Sequence, residues 1–247
     1  MITPSISLAF NSYFRIVFAD TSVLRKEVYR IRYEVYCREL GYEDANAYQD
    51  GLEKDKYDVR SRHCLLQHRR SGRYAGCIRL VLPDTNEREA ALPFEHACRD
   101  KLYPDIAGPV LEHRHLLGEY SRLAVPENFR RRKGERGVQM VTEDIPVCSS
   151  EESRQFMHIP LGLYLAGAAI AVSSGLEGAI AMMEPRLARH LKRFGMIYQQ
   201  IGDVVDHRGP RAPFYCDRDT LFRHLDPEIR KMLDALLADV PTYLKSA

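Results

Sequence analysis

The chain has 247 residues, 45% of them hydrophobic and 28% charged, with a formal net charge of +2. That is an ordinary globular composition with material for one large α/β domain and a sizeable core. The near-neutral balance gives no global reason to bind nucleic acid, so an electrostatic partner has to be sought in local clusters.

Six cysteines, Cys37, Cys64, Cys77, Cys98, Cys148 and Cys216, are scattered without a close pair. No CxxC or zinc-ligand spacing arises from them, and a reduced, cytoplasmic interior is expected. The opening MITPSISLAFNSYF lacks the basic segment and apolar run of a secretory signal.

In chain order, residues 13–19 alternate aromatic and β-branched side chains and predict a strand, after which Asp20, Thr21 and Ser22 offer helix N-caps. Leu24, Val28, Ile31, Val35 and Tyr36 recur at helical spacing, predicting a helix that runs to Leu40 and ends at Gly41. Residues 42–61 are polar, acidic and aperiodic, a loop long enough to be a functional candidate. Residues 64–68 and 74–82 read as a hairpin turned by Arg70, Ser71, Gly72 and Arg73. Residues 92–102 predict a helix, 116–125 a strand, and 126–155 a charged insertion. The apolar run 159–172 is too short to span a bilayer and predicts a buried helix. Residues 177–183 form a buried strand, and Pro185 opens a helix that Gly195 closes. Late strands are expected over 196–201 and 213–216, and a surface helix over 227–237.

Three clusters carry chemistry. Arg32, Tyr33, Val35 and Tyr36 on the first long helix precede Glu53, Asp55, Tyr57 and Asp58 in the acidic loop, which taken alone reads as solvated surface. Arg79 lies in the apolar strand segment GCIRL. An unpaired buried guanidinium costs several kcal/mol, so Arg79 must meet a carboxylate, either of the protein or of a ligand. Opposite Asp55 and Asp58 it would hold both ends of a free amino acid. In GEYSRL, strand alternation puts Glu119, Ser121 and Leu123 on one face and Tyr120 and Arg122 on the other. An amine attacking a thioester needs its ammonium deprotonated and the developing oxyanion stabilised, and Glu119 is a candidate general base for the first task. A glutamate locked to Arg79 or Arg122 is the structural alternative. His113, His115 and His207 lack a third ligand at metal-site spacing.

Together IRYEVY, EKDKYD, GCIRL and EYSRL resemble, in order, the R-x-x-V-F, E-x-D-x-Y-D, G-C-x-R-L and E-x-S-R-F motifs of the acyl-homoserine-lactone synthases. The resemblance implies a GNAT-like α/β fold, a mixed twisted sheet flanked by helices and splayed near its fourth and fifth strands, over a single domain of residues 1–247. It implies catalytic positions at Arg79, Glu119 and Ser121, and substrate-binding positions at Arg32, Tyr36, Asp55, Asp58 and Arg122. Tyr42 stands at the family's tryptophan position in a chain without tryptophan, so an acceptor other than S-adenosylmethionine is expected. The segments LGLYLAG, MEPRLARHLKRFG and IGDVVDHRGPRAPFY look like the PEP-CTERM/exosortase-associated acyltransferases, relatives of the N-acyl amino acid synthases. By that likeness His207 and Arg211 shape the mouth of an acyl tunnel.

The implied reaction moves a fatty acyl group from an acyl-carrier-protein or acyl-CoA thioester to the amine of an amino acid or similar small molecule, with no bound cofactor or metal. The stretch RLAVPENFRRRKGERG resembles the GNAT loop that cradles the pyrophosphate of coenzyme A. Arg130, Arg131, Arg132, Lys133 and Arg136 would grip coenzyme A or the acidic surface of an acyl carrier protein, and Arg186, Arg189, Lys192 and Arg193 add a second basic face. A solvated basic loop is the plain alternative. Two rival functions stay open: an acyl-homoserine-lactone synthase using S-adenosylmethionine, and a non-catalytic acyl or carrier-protein binding module. A fatty substrate would also bring the protein near lipid, which leaves peripheral membrane contact open.

Overall fold

A computed structural model of the chain describes residues 6–84, 87, 90–130 and 150–244. Helix α1 (Ile6–Tyr13) leads directly into strand β1 (Phe14–Phe18). The sequence pattern hides α1, in which only Ala9 and Phe10 are fully buried. Helix α2 (Ser22–Tyr33) starts at Thr21, whose hydroxyl accepts the Leu24 amide, and continues as a π-helical stretch, Glu34–Glu39. Val28, Ile31, Val35 and Tyr36 are buried, as the apolar stripe requires, and Gly41 turns the chain away at φ +62°.

The acidic stretch contains the single 3-10 turns Ala45–Ala47 and Lys56–Arg60, the latter closed by a capping box between Asp55 and Asp58. The predicted hairpin follows as β2 (Ser61–His68) and β3 (Tyr74–Val81). The helix expected over 92–102 is divided into α3 (Pro93–Cys98) and α4 (Pro104–Glu112). Leu102 is drawn into a bridge with Gly202, and Pro104 sets a new helix start.

Strand β4 (Leu117–Ala124) is followed by α5 (Glu127–Arg130), α6 (Ser150–Gln155) and α7 (Ile159–Ser173). Then come β5 (Gly178–Met183), α8 (Pro185–Lys192), β6 (Gln199–Gln200), β7 (Val205–Asp206), β8 (Pro210–Asp217), α9 (Arg218–His224) and α10 (Pro227–Asp239). The late strand expected over 196–201 shrinks to β6, because the Met196 amide turns back to the Leu191 carbonyl and its side chain joins the core.

One sheet runs β1-β2-β3-β4-β5-β8-β6, with β7 on β8. Every pairing is antiparallel except β4 with β5. Helix α2 covers one face over Leu65, Cys77 and Ala124, and beyond it α3 and α4 cover Leu117 and Ile180. The other face carries the main core around α7, backed by α10. Residues 161–171 of α7 are all buried, which fits a helix apolar on every side. Its glycines permit the close approach: a Cβ on Gly167 would lie 2.9 Å from the Tyr120 ring. With the preceding turn, Phe156–Ser173 is 18 residues of mean hydropathy 1.6, long and apolar enough to cross a membrane on those counts, and 67% of it is buried inside the fold.

Candidate active site

Strands β4 and β5 pair only from Leu117↔Gly178 to Tyr120↔Ala181, after which each continues without the other. The cause lies on the β3 side. Arg79 is opposite Ser121 but Cys77 is opposite Ala124, so Arg122 and Leu123 together face Ile78. Arg122 absorbs the extra residue at φ +53°. Such a bulge bends its strand and increases the local twist, which carries the end of β4 away from β5.

The bulge also corrects the expected faces of GEYSRL. Glu119 and Ser121 lie on the α2–α3 side as alternation requires, but Leu123 packs into the α7 core. The Arg122 guanidinium turns to the side of Ser121 and meets the acidic loop, with Nε on Glu53 at 3.2 Å and Nη2 on Asp55 at 3.0 Å.

Two cavities meet at this splay. The first, about 500 Å³, is walled mainly by aliphatic and aromatic residues, Leu123, Val125, Phe156, Tyr164, Met183 and Leu187 among them. The second, about 350 Å³, is rich in charged side chains, with Asp55, Arg79, Glu119, Arg122, Arg208 and Arg211 in its lining. Tyr36, Tyr120, Ser121, Arg122, Met182 and Arg211 belong to both.

Beneath the second cavity runs a charge network. Arg32, wholly buried, donates Nε to Glu53 and grips Asp58 with Nη1 and Nη2 at 2.7 and 3.1 Å. Arg79, 1% exposed, donates Nε to Ser121 Oγ at 3.0 Å and Nη1 to Asp55 and Asp58 at 2.6 and 3.0 Å. Its carboxylate partners are therefore the protein's own. Burial pushes the Asp58 carboxyl up, but the Arg32 fork and Arg79 outweigh it and hold the group well below the ordinary carboxylate range. Arg208, at φ +56°, pairs with Glu43.

Glu119 is 2% exposed, and its Oε2 accepts the Phe94 amide at 2.7 Å rather than being locked to an arginine. Burial pushes its carboxyl up to about 8, against the pull of that amide and of Arg79 and Arg122. Burial also raises the Tyr36 hydroxyl, to about 12, and keeps it a donor, here to the Leu123 carbonyl at 2.8 Å on the freed part of β4.

Of the expected site residues, the structure brings Tyr36, Asp55, Arg79, Glu119, Ser121 and Arg122 to the second cavity. Tyr42 and Arg130 line the first, Tyr42 stacked 6.4 Å from Tyr36 and Arg130 paired with Glu39. Arg32 and Asp58, expected to bind substrate, line neither cavity; sealed under the floor, they support the residues that do. Arg131, Arg132, Lys133 and Arg136 lie outside the described residues. His96 and Met182 also line the second cavity and carry no motif that points to them, and Arg208 joins them from the IGDVVDHRGPRAPFY segment, in which the likeness singles out His207 and Arg211 instead. His113 and His115 stand with ring centroids 6.4 Å apart, and no group of three metal-ligating side chains is found among the described residues.

A family model described as an acetyltransferase (GNAT) domain matches residues 31–139. Among solved structures, the chain is similar to BjaI, a CoA-dependent acyl-homoserine lactone synthase determined with SAM and isopentyl-CoA. That alignment has a TM-score of 0.55 and 16% identity over 90% of this chain and 89% of BjaI. It is similar also to FeeM, an N-acyl amino acid synthase from uncultured soil microbes, with a TM-score of 0.53 and 12% identity over 86% of this chain and 94% of FeeM. TofI, in a ternary complex with an inhibitor and MTA, aligns with a TM-score of 0.51 and 19% identity over 94% of this chain and 99% of TofI. No curated protein matches by sequence. The chain has a GNAT-like acyltransferase fold, a mixed sheet flanked by helices.

Proposed function

We propose that the chain is an N-acyltransferase that moves a fatty acyl group from a thioester donor to the amine of an amino acid or similar small molecule. The observation that carries this reading is the meeting, at splayed strands, of a cavity walled mainly by aliphatic and aromatic residues with one rich in charged side chains, the second holding the buried carboxyl of Glu119. In this reading the acyl chain fills the first cavity and the amine enters the second. Glu119, directly or through a water, takes the ammonium proton and releases it to solvent; the C–N bond then forms as the C–S bond breaks, and the second proton lost from the nitrogen passes to the departing thiolate. The β4 backbone past Tyr120, released from β5, supplies donors to the oxyanion. Ser121 holds the Arg79 Nε and so fixes the floor of the site.

The donor is acyl-CoA or an acyl carrier protein. Arg130, with the basic stretch Arg131, Arg132, Lys133 and Arg136 that follows it in sequence, would receive either. Support for a thioester donor and an amino acid acceptor comes from the similarity to BjaI and to FeeM. The C-terminal motifs further associate the chain with PEP-CTERM/exosortase acyltransferases, and the described free thiols suit a cytoplasmic setting.

The test is purified protein incubated with acyl-CoA and acyl-carrier thioesters, pooled amino acids and S-adenosylmethionine, with products read by mass spectrometry. N-acyl amino acids are expected. Acyl-homoserine lactone with methylthioadenosine would replace this acceptor by S-adenosylmethionine, and donor binding without any product would reduce the chain to a binding module.

A further inference from the structure

The charges of the second cavity cancel except at Lys56 and Arg211. Arg79 is neutralised by Asp55 and Asp58, Arg122 by Glu53 and Asp55, and Arg208 by Glu43. Lys56 is exposed and lies over the Tyr57 ring at 5.1 Å. Arg211, half-buried at the start of β8, lines both cavities, and its guanidinium makes no hydrogen bond or ion pair among the described residues. Its neighbour His207 adds no counter-charge: burial, then Arg208 and Arg211, push that imidazole down to about 4.

A half-buried guanidinium without an opposing charge is unfavourable, and a bound anion offsets it. The place of Arg211 says which anion. It stands at the junction of the cavities with Ser121 and Met182, where the reacting amine and acyl carbon meet in the reading above, and the planar fork matches a carboxylate. An α-carboxylate is one carbon from the reacting nitrogen. Held there, it would aim the amine across the cavity at Glu119.

We infer that Arg211 is the anchor for the acceptor's carboxylate, so that the acceptor is an α-amino acid and not a neutral amine. This inference rests on the acyl-transfer reading of the site. It also transfers to Arg211 the carboxylate-binding task that the sequence suggests for Arg79, whose Nη1 already meets two of the protein's own carboxylates.

Two measurements on wild type, Arg211→Ala and Arg211→Lys test it, with melting curves to confirm that each variant folds. In the first, calorimetry compares N-dodecanoylglycine with N-dodecanoylglycinamide, which differ only in the carboxylate. Wild type should prefer the acid by about tenfold or more, Arg211→Ala should bind the two within about twofold, and Arg211→Lys should fall between. Equal binding by wild type, or a preference that survives in Arg211→Ala, overturns the inference. In the second, kinetics of Arg211→Ala should show a raised KM for the amino acid with the thioester KM nearly unmoved; a raised thioester KM alone would place Arg211 on the donor and overturn it. Wild type that acylates no amine, yet binds the acid through Arg211, removes the enzymatic reading and keeps the carboxylate site.

Discussion

The carboxyl of Glu119 takes up its proton at a pH where surface glutamates have long lost theirs, because the fold surrounds it with Phe94, Leu117 and the sheet. With the group raised to about 8, the folded chain holds a proton that the unfolded chain releases near the ordinary value of about 4.3. The folded state therefore binds more protons across that window, and stability falls as pH rises through it. Glu119→Gln keeps an oxygen for the Phe94 amide and carries no charge. Its melting temperature should gain on wild type from about pH 5 to about pH 8. Its turnover should fall by roughly 10²–10⁴-fold, while wild-type kcat/KM rises with pH toward about 8. A variant that turns over normally across this range would remove Glu119 as the base, and the melting comparison separates that outcome from loss of fold.

At the scale of elements, α2, the acidic loop, β3 and β4 are joined by one buried ionic network. Removing one member of such a network leaves buried charges short of opposing charge. Arg32→Leu leaves buried Glu53 with Arg122 alone and Asp58 with Arg79 alone, and should cost about 3–5 kcal/mol in denaturant melts at neutral pH. The loss should be smaller in acid: Asp58, depressed in the folded protein, stabilises wild type above the ordinary carboxylate range, and that contribution fades as pH falls through its lowered value. An Arg32→Leu cost independent of pH would mean the network contributes packing alone. The sequence shows the need for this network but not its partners. Arg79 in an apolar strand signals a carboxylate and is legible, whereas the capping box of Asp55 and Asp58 lies in a stretch that taken alone reads as solvated surface. The bulge is not legible either, because nothing in EYSRL marks Arg122 for a positive φ; the register against β3 imposes it. The α2 stripe and the β2–β3 hairpin follow from periodicity, whereas α1 and β6 depend on tertiary contacts that no window of sequence contains.

At the scale of the whole molecule, the parallel β4–β5 pair is the only one of its kind in the described sheet, and its parting opens the fold from both faces. The first cavity extends toward α7 and α8 and the second toward α3 and the 205–211 turn, so the two substrates would arrive from different sides. That division predicts separable effects. Leu187 is half-buried in the first cavity only, and His96 is exposed at the second only. Leu187→Trp should lower kcat/KM for the longest acyl donors by about tenfold or more, as a methylene misplaced in an apolar pocket does, with acceptor KM unchanged. His96→Trp should raise acceptor KM and leave the donor series as in wild type. The double variant should then show the product of the two single effects, to within about 0.5 kcal/mol, as sites without shared partners do. Coupling well beyond that, or an acceptor KM that rises with Leu187→Trp as far as the donor's, would show that one substrate spans both cavities and that the splay does not divide them.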